Sequence, residues 1–127
     1  MKLNLDCMRD VMLFLEDTHY GERILTSSLC NSISGYSDDD ICYTCLKLCQ
    51  AGFISGMVVD YNGGFYYVKD ICDITYEGHQ FLANIHSDTV WNNVKEVASS
   101  IGAKSVPAIT QIAANVITAL IHSKLGI

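Results

Sequence analysis

A chain of 127 residues is long enough to bury one substantial core and too short for a second, so a single fold should account for nearly all of it. Half of the residues are apolar and 17% are charged, with a mean hydropathy of +0.22, so some apolar surface should remain to face a partner or a second copy. Net charge is −6, and the eight Lys and Arg residues are scattered singly from Lys2 to Lys124; without a linear basic patch, DNA is disfavoured as the main partner.

The segment Met1–Asp17 carries Asp6, Arg9, Asp10, Glu16 and Asp17 where the apolar core of a signal peptide would lie, which predicts a cytoplasmic protein. Its six cysteines are then expected as reduced thiols. Met8, Val11, Met12 and Leu15 recur at i, i+3, i+4 and i+7 and predict an amphipathic first helix started by Asn4 or Asp6. A short second helix is expected from Ser28 to Ile33, capped by Thr26, Ser27 or Ser28, with Gly35 beyond its end.

Ser37 followed by Asp40 resembles a capping box and starts a third helix that runs to about Gln50, with Asp38 and Asp39 also favourable at the positive end of the helix dipole. Ile41, Cys45 and Leu48 form its apolar face, flanked by Cys42 and Cys49; Asp40, Tyr43, Thr44 and Lys47 should point elsewhere. Gly52 stops it, and Phe53 and Ile54 should pack just after. Met57–Asp60 and Phe65–Val68 are β-prone runs joined by Tyr61, Asn62, Gly63 and Gly64, a turn rich in residues that accept positive φ, so a β-hairpin is expected. The run from Ile74 to Leu82 reads as a capped helix burying Phe81, Leu82 and Ile85.

Three helices, a hairpin and a further helix give an α+β, mainly α fold: a winged helix-turn-helix over residues 1–86, with the hairpin as its wing. Residues 87–127 should add a C-terminal helical hairpin after a soft joint near Ser87–Asp88. Val90, Val94, Val97 and Ile101 share one stripe, Gly102 ends that helix, and Ser105 with Pro107 starts the next. No charge occurs from Ser105 to Ser123, where Ile109, Ile112, Ala113, Val116, Leu120 and Ile121 line a wide apolar face. The rival reading is a membrane span, which Pro107, Thr110, Gln111, Asn115, Thr118 and His122 make too polar. The expectation is therefore no membrane and a homodimer through Ile109, Ile112, Val116 and Leu120.

Several segments together resemble a known family: Met1-Lys2-Leu3-Asn4-Leu5-Asp6 with Arg9-Asp10, Tyr36-Ser37 leading to Ala51-Gly52-Phe53-Ile54, the run Thr75-Tyr76-Glu77-Gly78-His79-Gln80-Phe81-Leu82, and Trp91-Asn92 with Lys95. The chain is similar over nearly its whole length to the family called domain of unknown function 2513, and the Thr75–Leu82 run is the most specific part. The resemblance implies a small, winged-helix-like protein of Gram-positive bacteria, their phages or mobile elements, and brings no catalytic residues with it. The chain departs from the family pattern in its many cysteines and in its uncharged last helix.

Other groupings read as structural. Cys42 and Cys45 make a C-x-x-C, but with Cys49 they fall on one helix face, and no second ligand pair stands at matching spacing, so core-filling thiols are expected in place of zinc. His79 should support the helix start, and Gly63-Gly64 lacks the Gly-Lys-Ser/Thr of a phosphate loop. Asp38, Asp39 and Asp40 are adjacent, whereas calcium loops space their ligands every second residue. No enzyme, metal or cofactor is expected.

Two functions follow. In the first, the chain is a non-catalytic regulator or adaptor whose Asp38, Asp39, Asp40, Tyr43, Lys47, Asn62 and Gly63 face a protein partner, with acidic charge steering the encounter. In the second, it is a DNA-binding regulator that places helix 37–50 in the major groove and the 57–68 wing on the backbone. Charge placement favours the first, because the three aspartates would meet the duplex before any cation.

Overall fold

The computed structural model describes residues 1–127 as an α+β, mostly helical fold of six helices and one three-stranded antiparallel sheet. The elements in chain order are α1 (Leu5–Glu16), β1 (Ile24–Leu25), α2 (Thr26–Ser32), α3 (Asp38–Gln50), β2 (Ile54–Tyr61), β3 (Phe65–Ile74), α4 (Tyr76–Ile85), α5 (Asp88–Ile101) and α6 (Val106–Leu125). The sheet order is β1-β3-β2.

Helix starts follow the polar residues that precede them. Asn4 accepts from the Cys7 amide, Ser37 from Asp40, Thr75 from Gly78, Ser87 from Val90 and Ser105 from Ala108, each satisfying an amide that the helix leaves without a carbonyl. The exception is α2. It begins at Thr26, two residues before the expected start, with Leu25 at the cap and no side-chain cap bond. Thr26 is drawn into the helix because its hydroxyl donates to the Val68 carbonyl at 2.6 Å in a buried site, tying α2 to β3.

One apolar cluster joins every helix to the sheet, from Cys7, Met8, Val11 and Met12 of α1 to Ile109, Ile112 and Ala113 of α6. Residues 87–127 are therefore built into the same core as residues 1–86. Within α5 the buried stripe is Val90, Trp91, Val94 and Ala98, whereas Val97 and Ile101 are exposed. Val90 and Val94 of the expected stripe are inside, and beyond them the buried face continues through Ala98 in place of Val97 and Ile101, with Trp91 inward as well. Thr44, expected to point outward, is fully buried on α3 beside the Cys7 thiol of α1.

Strand β1 has no counterpart in the sequence reading. Two residues, Ile24 and Leu25, pair with Ile71 and Asp70 of β3, too short a run for any periodicity to register. The β2–β3 hairpin is longer than expected and divides in two. Ile54, Val68, Ile71 and Ile74 at its base are buried, and the outer half from Met57 to Tyr66 stands clear of the core. Its turn holds Asn62 at φ 58° and Gly63 at φ 65°.

Helix α6 is long and apolar enough, by length and composition, to cross a membrane. Its first half is packed against α4 and α5 through Val106, Ile109, Ile112 and Ala113, and its last turns, with Ile121 and Leu125, are exposed.

Candidate functional site

The seven residues singled out for partner binding fall in three separate places. Asp38 and Asp39 are exposed on the first turn of α3, and Asp40 is half-buried. Asp38 borders a groove of about 570 Å³ between α2 and β3, where Cys30, Cys42, Tyr67 and Lys69 also lie. Two turns along the same helix, Tyr43 and Lys47 face a different cavity; the Lys47 ammonium sits 5.2 Å from the centre of the Tyr43 ring and donates to Gln50 Oε1 at 3.0 Å. Asn62 and Gly63 occupy the hairpin tip, where the Gly64 amide donates to Asp60 Oδ1 at 2.7 Å.

The outer hairpin carries a feature that was not singled out. Met57, Val58, Tyr61, Phe65 and Tyr66 are all about half exposed or more, with Phe65 at 63%. Tyr61 meets Phe65 and Tyr67 edge to face at 6.4 and 6.3 Å. Between Ile54 and Val68 there is no Lys or Arg, and Asp60 is the only charge. A signal existed in the run Phe65-Tyr66-Tyr67-Val68, because alternate residues of a strand point to opposite faces and one face of this run had to meet solvent.

Three of the eight Lys and Arg residues are taken up by aspartates within the fold. Arg9 pairs with Asp88 at 2.8 Å, Arg23 with Asp70 at 2.7 Å and Lys95 with Asp6 at 2.9 Å. None of these pairs involves Asp38, Asp39 or Asp40.

Among the residues named for dimerisation, Ile109 is fully buried in the core and cannot reach a second copy, because α6 lays it against α4 and α5. Ile112 is nearly buried, whereas Val116 and Leu120 are half-buried. Ile112 and Val116 instead border an open groove of about 470 Å³ with Val97 and Ile101 of α5.

Burial disfavours the thiolate form of five cysteines. Burial pushes Cys30 up to about 12 and also raises Cys7, Cys42, Cys45 and Cys49. Cys42 and Cys45 belong to no group of three or more His, Cys, Asp or Glu placed to hold a metal ion. His79 is exposed on α4, one residue after the buried Gly78.

A family model described as "Hypothetical protein (DUF2513)" matches residues 2–104, ending just before α6. An uncharacterized protein of Haemophilus influenzae (strain ATCC 51907 / DSM 11121 / KW20 / Rd) is 30% identical over 122 residues, covering 95% of this chain and 99% of that protein. Its source lies outside the Gram-positive range that the resemblance implied. No solved structure matches the chain.

Proposed function

Because the chain belongs to the domain of unknown function 2513 family, whose description carries no activity, we propose from its own surfaces that it is a non-catalytic winged helix-turn-helix adaptor that acts by binding another protein. The order α1-β1-α2-α3-β2-β3, with β3 between β1 and β2, supports that fold, α3 being the recognition helix and the β2–β3 hairpin the wing. The reading includes a cytoplasmic protein, a phage or mobile-element setting and a homodimer.

The observation that carries the proposal is the outer wing. A wing that grips DNA needs cations to replace condensed counterions, and this one offers Tyr61, Phe65 and Tyr66 with a single Asp. Exposed tyrosine and phenylalanine are the side chains that anchor protein interfaces, since they bury much area at little entropic cost. Asp38 and Asp39 at the start of α3 add a negative rim that would attract a basic surface and repel a phosphate backbone. Dimerisation is supported by the α5–α6 groove, which leaves Val97 and Ile101 exposed beside the half-buried Val116.

Copurification tests the proposal. The native chain and a surface control, Lys124→Gln, should retain the same partner from the cytoplasm, and the triple variant Y61S/F65S/Y66S, folded by circular dichroism, should lose it. An unchanged set of retained proteins in the triple variant would contradict it.

A further inference from the structure

Three cations that are far apart in sequence meet at one cavity. Arg9, Arg23 and Lys95 are each taken up by an Asp, and of the five remaining cations Lys2, Lys47 and Lys104 border a single space of about 490 Å³. They come from three segments: the residues before α1, the last turn of α3 and the turn between α5 and α6. No Asp or Glu borders the cavity, although the chain as a whole holds 14 acids against eight Lys and Arg. Neither Lys2 nor Lys104 makes a hydrogen bond or ion pair within the chain, and Lys47 uses one of its three donors on Gln50.

We propose that this cavity binds a small organic anion, a phosphate or carboxylate carried on an apolar body. Like charges gathered without a counter-charge are unfavourable until something negative sits among them. The rest of the wall suits the body of such a ligand: Leu3 and Pro107 are apolar, and the Tyr43 ring, already under the Lys47 ammonium, offers a flat face. The volume lies within the ordinary range for small-molecule sites, about 300–1,000 Å³. The start of α6 adds its dipole, while Ser105 already caps the Ala108 amide and Pro107 has no N–H. A nucleic acid fits less well, since three cations confined to one concave site do not track a backbone. This inference does not rest on the protein-binding reading of the wing.

The test uses phenyl phosphate, benzoate, inorganic phosphate and benzyl alcohol, titrated into the full chain and followed by calorimetry and by amide shifts. The two aromatic anions should bind with Kd near or below about 1 mM, inorganic phosphate more weakly and benzyl alcohol not at all, with shifts centred on Tyr43, Lys104 and Val106. The double variant K47Q/K104Q should bind at least about tenfold more weakly with unchanged Tm, and K69Q should bind as the native chain does. Absence of saturable binding by either aromatic anion, equal binding by K47Q/K104Q, or shifts centred on another surface would overturn the site. So would tighter saturation of the same resonances by a short DNA duplex, which would make it a backbone contact.

Discussion

Arg9 and Asp88 form an ion pair across 79 positions of sequence, Nη2 to Oδ1 at 2.8 Å, and the same guanidinium donates to the Ile85 and His86 carbonyls at 3.0 and 2.7 Å. The joint between α4 and α5, expected to be soft, is clipped to α1. The two ends of the pair should not matter equally. Asp88 is 87% exposed, so D88A should cost less than about 1 kcal/mol. Arg9 is mostly buried, and R9A leaves two helix-end carbonyls without their donor, so about 2–3 kcal/mol should be lost in urea unfolding. Equal effects of the two substitutions would contradict this assignment.

Asp6 ties the same corner together by accepting from Trp91 Nε1 and Lys95 Nζ, both at 2.9 Å. Partial burial works against its ionised form, but the hydrogen bonds from Lys95 and Trp91 outweigh it and hold the carboxyl below the ordinary value of 3.8. A carboxylate lowered on folding stabilises above its unfolded pKa, and that contribution is lost as pH falls through the folded one. The stability gap between the native chain and D6N should therefore be constant at neutral pH and close below about pH 4. D6A should cost more than D6N, because it also strands the buried indole N–H. Thermal melts across pH measure both; a gap that widens in acid would contradict them.

The run that marks the family explains itself in the fold. Gly78 is buried where a Cβ would overlap the Phe53 carbonyl oxygen, the Thr75 amide donates to that same carbonyl at 3.0 Å, and Phe53 stacks on Phe81 at 4.9 Å. Segments 51–54 and 75–82 are thus two halves of one contact that docks α4 on the turn after α3. Helix propensity alone would make G78A stabilising by about 1 kcal/mol, but the overlap is with backbone and should win by about 2 kcal/mol net. A lower Tm is expected, and a raised one would contradict the packing.

Much of this was legible because it rests on local chemistry. The caps at Asn4, Ser37 and Ser105 and the turn at Asn62–Gly64 each depend on a residue and its near neighbours. Quantities set by distant partners were not legible. Thr44 is inside because α1 packs on α3, Val97 and Ile101 are outside because the buried face of α5 runs through Trp91, Val94 and Ala98, and β1 forms by pairing with the edge of β3. Lys2, Lys47 and Lys104 looked scattered for the same reason, since nothing in their spacing says that three segments end together.

The α5–α6 groove makes a prediction about assembly. Sedimentation equilibrium at about 10 μM should show a dimer for the native chain and monomer for V97E and I101E, with little change in Tm because both side chains are exposed on α5. I109A should instead lower stability by about 2–5 kcal/mol, as its side chain is core. A native chain that is monomeric under these conditions would remove the dimer.

The preference for protein over DNA is tested most directly by titrating random-sequence duplex DNA with the native chain and with D38N/D39N/D40N, between about 50 and 300 mM salt. The native chain should leave the duplex unbound throughout, and any binding by the neutralised variant should fade as salt rises. Salt-sensitive binding by the native chain would contradict the protein-binding function.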